Sequence, residues 1–268
     1  MHPVLFSIDV PEGLQDWLPQ TLTIYSYGFL IAIGAILGIS YIAVEGKRKF
    51  NMNLDMVNTV FLSLLAAAIV GGKVFMIFEN PKLYLSDLSL LLDGRGFVFF
   101  GSLSFSIPAL LVVLQYYKLP VWPMLDIIAI TTGIVHFFGR LGCFMAGCCY
   151  GVQWEGPLAV VFTDPLCVAK PLNAELHPTQ LYSAGMILLI VVVILVLKKY
   201  QKFQGQLFLT YLLLYAIGRS IIEIFRGDEA RGFLIDGWFS NSQFFALIFI
   251  VVTSYFYWRL LKKANHNS

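Results

Sequence analysis

Five ionisable side chains stand in stretches that are otherwise apolar: Lys73 in IVGGKVFMIF, His136 and Arg140 in VHFFGRLGCFMAGCCYG, and Arg219 and Glu223 in YAIGRSIIEIFRGDE. A charge at the centre of a lipid-spanning helix costs about 2.5–3.5 kcal/mol on insertion scales, so such residues point to function. Arg219 and Glu223 are four apart and share a helix face. Arg226 is expected to continue that stripe one turn later. His136 and Arg140 share a face if their helix continues. Gly139, Gly142, Gly147 and Gly151 are expected to break that helix and bare backbone N–H groups, which with Arg140 would cradle an anion. Lys73 lies one or two turns from the end of its stretch, where a lysine can also snorkel to the interface. Gly71 and Gly72 beside it allow close approach of another helix. Guanidinium groups bind phosphate in bidentate fashion. Lys73, Arg140 and Arg219 come from different stretches at one outer depth, where phosphate esters of lipids are abundant. A phospholipid headgroup is the ligand this chemistry implies.

Cys143, Cys148, Cys149 and Cys167 crowd one short region. Zinc sites commonly place paired cysteines two to four apart with a second pair further on. Adjacent Cys148 and Cys149 suit chelation poorly, so no metal is expected. A disulfide from Cys167 to one of the others is open on an oxidising face of the membrane. So is a role as small buried apolar residues. His177, ahead of Pro178 in HPTQLY, reads as a packing or capping residue at a helix start.

The elements that must position these groups follow from composition. Of 268 residues, 58% are hydrophobic and only 13% charged, with a mean hydropathy of +0.77. Water-soluble domains carry about 25% charged residues, so lipid is the expected solvent. A net charge of +2 does not suit a nucleic-acid partner. The opening MHPVLFSIDVPEGLQDW lacks the basic start of a secretory signal. Seven stretches approach the roughly 20 apolar residues that cross a bilayer: 24–44, 56–78, 98–115, 121–138, 180–197, 206–224 and 241–258. Runs such as LLIVVVILVL do not alternate, which excludes a barrel and predicts an all-α integral membrane protein. No linker divides the chain, so residues 1–268 read as one domain with an outer loop over 139–179. One side holds ten basic residues in short connections and the tail: Lys47, Arg48, Lys49, Lys118, Lys198, Lys199, Lys202, Arg259, Lys262 and Lys263. The other holds six: Lys82, Arg95, Arg140, Lys170, Arg226 and Arg231. That bias predicts a cytoplasmic C-terminus and, with seven crossings, an N-terminus outside. Trp17, Trp122, Trp154, Trp238 and Trp258 fall near stretch ends, as interfacial anchors do. No internal repeat of the transporter kind is present.

Several segments, in order, carry a family resemblance. MHPVLFSI with LTIYSYGFLIAIG looks like a family N-terminus and first span. GRLGCFMAGCCYG resembles a signature whose common form is GRxGNFxNGExxG, and HPTQLYSA resembles HPxQLYE. GQLFLTYLLLYAIGRSIIEIFRGDE and NSQF resemble the sixth span and the start of the seventh. The family is prolipoprotein diacylglyceryl transferase, and the resemblance covers nearly the whole chain. It implies an enzyme of the bacterial inner membrane without metal or soluble cofactor. Such an enzyme moves diacylglyceryl from phosphatidylglycerol to the lipobox cysteine thiol of a prolipoprotein signal peptide and releases glycerol phosphate. It implies that Arg140 and Arg219 contact the lipid phosphate, that Tyr27 lies in the central cavity, that Gly142 and Gly151 shape the signature loop and that Glu223 holds Arg219. Lys73 stands where an arginine is usual. Phe100 stands where many members have histidine and others tyrosine, Cys143 where asparagine is usual, Cys148 where glutamate is usual, and Ser183 where HPxQLYE has its glutamate. His136, Glu223, Tyr27 and the substrate phosphate are the alternatives for proton acceptor. A paralogue with another acceptor, or a phospholipid-binding protein without catalysis, is the alternative function.

Overall fold

The computed structural model describes residues 1–11, 13, 20–91, 98–227, 233–235 and 239–266. Trp17, Arg95, Arg231 and Trp238 lie outside them. The described helices are α1 (Ser26–Phe50), α2 (Leu54–Glu79), α3 (Pro81–Ser86), α4 (Phe99–Tyr116), α5 (Val121–Ala146), α6 (Thr179–Leu197), α7 (Gln206–Glu223) and α8 (Asn241–His266). Five are long and apolar enough to cross a membrane: α1, α2, α5, α6 with its following turn, and α8. Helix α4 is apolar but shorter, and α7 is 18 residues interrupted by polar side chains. The protein is therefore a mostly helical membrane protein. Three short antiparallel hairpins accompany the helices: β1 (Val4–Asp9) with β2 (Thr21–Tyr25), β3 (Val160–Val161) with β4 (Glu175–Leu176), and β5 (Phe233–Ile235) with β6 (Phe239–Ser240).

The chain divides into two compact units, Met1–Gly38 with Leu125–Ser268, and Ile39–Met124. In the second unit Asn53 caps α2, its Oδ1 accepting from the Met56 N–H at 2.9 Å. Helix α4 then packs on α2 backbone to backbone. A Cβ on Gly71 would lie 2.3 Å from the Gly101 carbonyl oxygen, and one on Gly101 would lie 2.2 Å from the Gly71 oxygen. Ser102 Oγ donates to the Ala68 carbonyl at 2.8 Å across the same contact. Lipid tails are as apolar as leucine, so close packing and interhelical hydrogen bonds supply the attraction.

In the first unit the β1–β2 hairpin runs straight into α1, where Ser26 Oγ donates to the His2 carbonyl at 2.6 Å. Helix α7 packs against α6 and α8. Its start is held by a carboxylate from another helix. Asp126 of α5, 1% exposed, accepts from the Gly205 N–H at 2.7 Å, the Phe208 N–H at 3.0 Å and Gln201 Nε2 at 2.5 Å. A helix start leaves N–H groups unpaired, and here they are satisfied at long range in sequence.

The polar segment 139–179 differs from expectation at its beginning. Helix α5 does not end at 138 but continues to Ala146, through Gly139 and Gly142. Glycine lowers helix propensity by only about 1 kcal/mol, and inside lipid the helix is the cheapest way to pair those N–H groups. The anticipated row of bared N–H groups over 139–142 is therefore absent. The break comes at Gly147, whose φ of +72° a side chain would strain. Beyond it the loop folds on its own small core of Phe162, Cys167, Ala169 and Leu176.

Candidate functional site

Arg140 Nε donates to His136 Nε2 at 3.2 Å, one turn back on α5. An arginine N–H can only donate, so Nε2 must carry the lone pair. The imidazole is then neutral with its proton on Nδ1, which faces Tyr211 Oη at 3.4 Å. Tyr211 and Tyr215, one turn apart on α7, stack in parallel, and Tyr215 lies 5.2 Å from the His136 ring. His136 thus has its single acceptor engaged by Arg140.

On α7, Arg219 and Glu223 form the ion pair their spacing anticipates, with Glu223 2% exposed. Arg226 does not continue that stripe. The helix ends at Glu223, and a turn carries the Phe225 N–H to the Ile222 carbonyl at 3.0 Å. Residues 225–227 then pair with 150–152: the Val152 N–H donates to the Phe225 carbonyl at 2.9 Å and the Gly227 N–H to the Tyr150 carbonyl at 3.1 Å. Arg226 stands opposite Gly151 in this pairing. A Cβ on Gly151 would meet His177 Cβ at 2.4 Å and the Phe225 oxygen at 2.6 Å, so only glycine closes the pairing. Arg140 and Arg219 both act electrostatically on His136, and Arg226 acts on both arginines. Arg226 thus joins Arg140 and Arg219 as a third cation of this cluster. Lys73 on α2 and Phe100 on α4 belong to the other unit.

Tyr27 opens α1 against α5. A Cβ on Gly142 would lie 3.2 Å from Tyr27 Cα and 2.9 Å from its ring, so Gly142 permits the approach. Arg140 and all three neighbouring cysteines act on the Tyr27 hydroxyl.

The cysteines are the site's main departure from the sequence reading. All four are free thiols, which corrects the disulfide alternative. Cys167 is spent in the loop core. Cys143 lies in the last turn of α5. The chain turns at Gly147 and again at Cys149, which holds a left-handed φ of +58°, uncommon for a residue with a side chain. Thr179 Oγ1 donates to the Cys149 carbonyl at 2.6 Å, and Gln180 Nε2 to the Cys148 carbonyl at 2.7 Å. These contacts from α6 hold the turn. The sulfurs of Cys143, Cys148 and Cys149 end within 4.8 Å of one another. Adjacent cysteines, set aside as chelators on spacing, converge because left-handed residues at Gly147 and Cys149 turn the chain back toward Cys143. The Cys143 and Cys148 thiols hold the Cys149 thiol well below its usual range by hydrogen bonding, and Arg140 and Arg226 add to the effect.

His177 packs rather than reacts. It stacks on Trp154 at 4.2 Å, its Nδ1 meets Tyr182 Oη at 3.1 Å, and burial lowers its pKa. Asp126, Gln180, Tyr211 and Tyr215 escaped the sequence reading. A lone carboxylate in the apolar run VWPMLDIIAI carries the same signal that flagged Arg219. Tyr211 and Tyr215, about two turns and one turn before Arg219, share its helix face. Gln180 stands in the motif HPTQLY, but nothing local shows that it reaches Cys148.

A family model described as prolipoprotein diacylglyceryl transferase matches residues 17–259. A Clostridium tetani (strain Massachusetts / E88) protein named phosphatidylglycerol–prolipoprotein diacylglyceryl transferase is 33% identical over 256 residues, 94% of this chain and 95% of the relative. A Clostridium perfringens (strain 13 / Type A) protein of that name, numbered 2, is 29% identical over 86% of this chain and 88% of its own. A Dehalococcoides mccartyi (strain CBDB1) protein of the same name is 28% identical over 85% of this chain and 84% of its own. The chain belongs to the prolipoprotein diacylglyceryl transferase family.

Proposed function

We propose that this protein transfers the diacylglyceryl group of phosphatidylglycerol to the lipobox cysteine thiol of a prolipoprotein, releasing glycerol phosphate, in the cytoplasmic membrane of a bacterium. Its chain crosses that membrane seven times with the C-terminus inside, α4 and α7 being the two shorter crossings. The observation that carries the reading is the arginine locus. Arg140 is aimed by a neutral His136 backed by Tyr211, and Arg219 by a buried Glu223.

The acceptor sulfur attacks the glyceryl carbon next to the phosphate. The S–C bond forms, the C–O bond breaks and the phosphate oxygen keeps the electron pair. Arg140 and Arg219 meet that oxygen's developing charge, and fixed cations in a site shielded from water stabilise such a transition state strongly. His136 positions Arg140, since its lone pair is engaged. Tyr27, Gly142, Cys143 and Gly151 line the lipid's phosphate end. For Lys73 and Phe100 a part in binding the lipid is what the family resemblance implies, and phenylalanine supplies no acid or base at position 100.

The test is a transfer assay in detergent with phosphatidylglycerol labelled in its acyl chains and a lipobox peptide. Label reaches the peptide with wild-type protein, and Arg140→Ala lowers the rate about 100- to 1000-fold. Folded wild-type protein that leaves the peptide unlabelled sinks the proposal in favour of another acceptor or of binding alone.

A further inference from the structure

Three sulfurs meet at the end of α5 without forming a disulfide. A disulfide would use two of them and strand the third, whereas a thiophilic cation uses all three. Catalytic zinc sites keep three protein ligands and leave the fourth position open. A tetrahedral centre with Zn–S near 2.3 Å places its sulfurs about 3.8 Å apart. The trio needs to close by no more than about 1 Å to reach that geometry from its outer limit of 4.8 Å. Among the described residues no histidine, aspartate or glutamate joins the three.

The surroundings fit a loaded centre. Three thiolates and one divalent cation carry a single net negative charge, and two cations flank the turn: Arg140 lies one turn before Cys143 on α5, and Arg226 stands opposite Gly151. The left-handed backbone at Cys149 is held from outside by Thr179 and Gln180. Strained residues persist where surrounding structure over-determines them, as at ligand clamps. Gln180 is itself fully buried, and its carboxamide oxygen has no hydrogen-bond partner. That atom is available to a group arriving beside Cys148.

We propose that Cys143, Cys148 and Cys149 bind one thiophilic divalent cation of the zinc class, whose fourth position receives the acceptor's thiol as thiolate. The inference rests on the transferase reading and supplies what Phe100 withholds, a way to ionise the thiol. Metal binding favours the deprotonated sulfur. The sulfur then forms its bond to the glyceryl carbon, the C–O bond to phosphate breaks, and the thiol proton leaves on the departing phosphate monoester. The phosphate oxygen keeps the C–O electron pair, and no atom is oxidised or reduced.

The experiment loads the full-length protein, purified metal-free under reducing conditions, with cobalt(II). One equivalent binds with an intense thiolate-to-cobalt charge-transfer band, and a lipobox peptide shifts the visible bands while its Cys→Ser version does not. Cys143→Ser, Cys148→Ser and Cys149→Ser each weaken cobalt binding by more than the about 10- to 100-fold that loss of an outer partner costs, and Cys167→Ser leaves it unchanged. Zinc protects three thiols of the wild-type protein from maleimide, which needs no variant to fold. A missing charge-transfer band, unprotected thiols, or bands indifferent to the peptide thiol overturn the proposal. Intact cobalt and peptide responses without label transfer overturn the transferase reading alone.

Discussion

Two helix contacts, one in each unit, hold helices together in lipid by opposite means. Between α2 and α4, Gly71 and Gly101 let the backbones nearly touch, and the hydrogen bonds across the crossing run to backbone carbonyls, as from Ser102 Oγ to Ala68. Around α5 and α7 the contact is polar: Asp126 caps α7 at one end, while Tyr211 and His136 link the helices toward the other. A glycine crossing specifies distance. A polar crossing also specifies rotation and depth, because each donor must meet one acceptor. Only the second kind can aim an arginine, and that is where the chain keeps Arg140 and Arg219.

The difference can be broken from either side. The largest effect is expected at the glycine crossing. Gly101→Leu drives a side chain into the Gly71 carbonyl, where backbone cannot yield, so folded protein is lost. Thermal unfolding in detergent would read this, and a variant with a wild-type midpoint would show that the crossing can part. Next comes Arg140→Ala, with its about 100- to 1000-fold loss of transfer and little change in midpoint. Arg140→Lys should not restore the rate, because lysine lacks the planar fork and the donor that meets His136. Asp126→Ala leaves the Gly205 and Phe208 N–H groups buried without their acceptor. It should cost about 1–3 kcal/mol of stability, read as a lower midpoint with a rate per folded molecule close to wild type. Smallest is Tyr211→Phe, which removes one neutral hydrogen bond worth about 0.5–1.5 kcal/mol. Its signature is a rate loss of at most about tenfold, recorded in the same assay, without the collapse expected at Gly101. A Tyr211→Phe loss as large as that of Arg140→Ala would make the tyrosine a direct participant.

Much of the site was legible from spacing because its geometry is local. Arg219 and Glu223 pair across one helical turn, so their partnership followed once α7 was read as a helix. His136 and Arg140 share a face for the same reason. Lys73 was grouped with the arginines on depth alone, and it falls in the second compact unit. Arg226 was misread because α7 stops at Glu223, and nothing in IEIFRGDE marks that end as strongly as the pairing of 225–227 with 150–152 enforces it.

The sequence by itself determined the solvent and the lineage. Too few charges to cover a water-facing surface require lipid, and ordered motifs along the chain place it in its family. Tertiary structure decided what the signature loop became. Whether Gly139 and Gly142 break a helix depends on what else can pair their N–H groups, and inside lipid only the helix can. Whether three cysteines meet depends on left-handed residues at Gly147 and Cys149, the second held by Thr179 and Gln180 from about 30 positions away in sequence. A dihedral angle fixed by distant hydrogen bonds leaves no periodicity in the residues that adopt it.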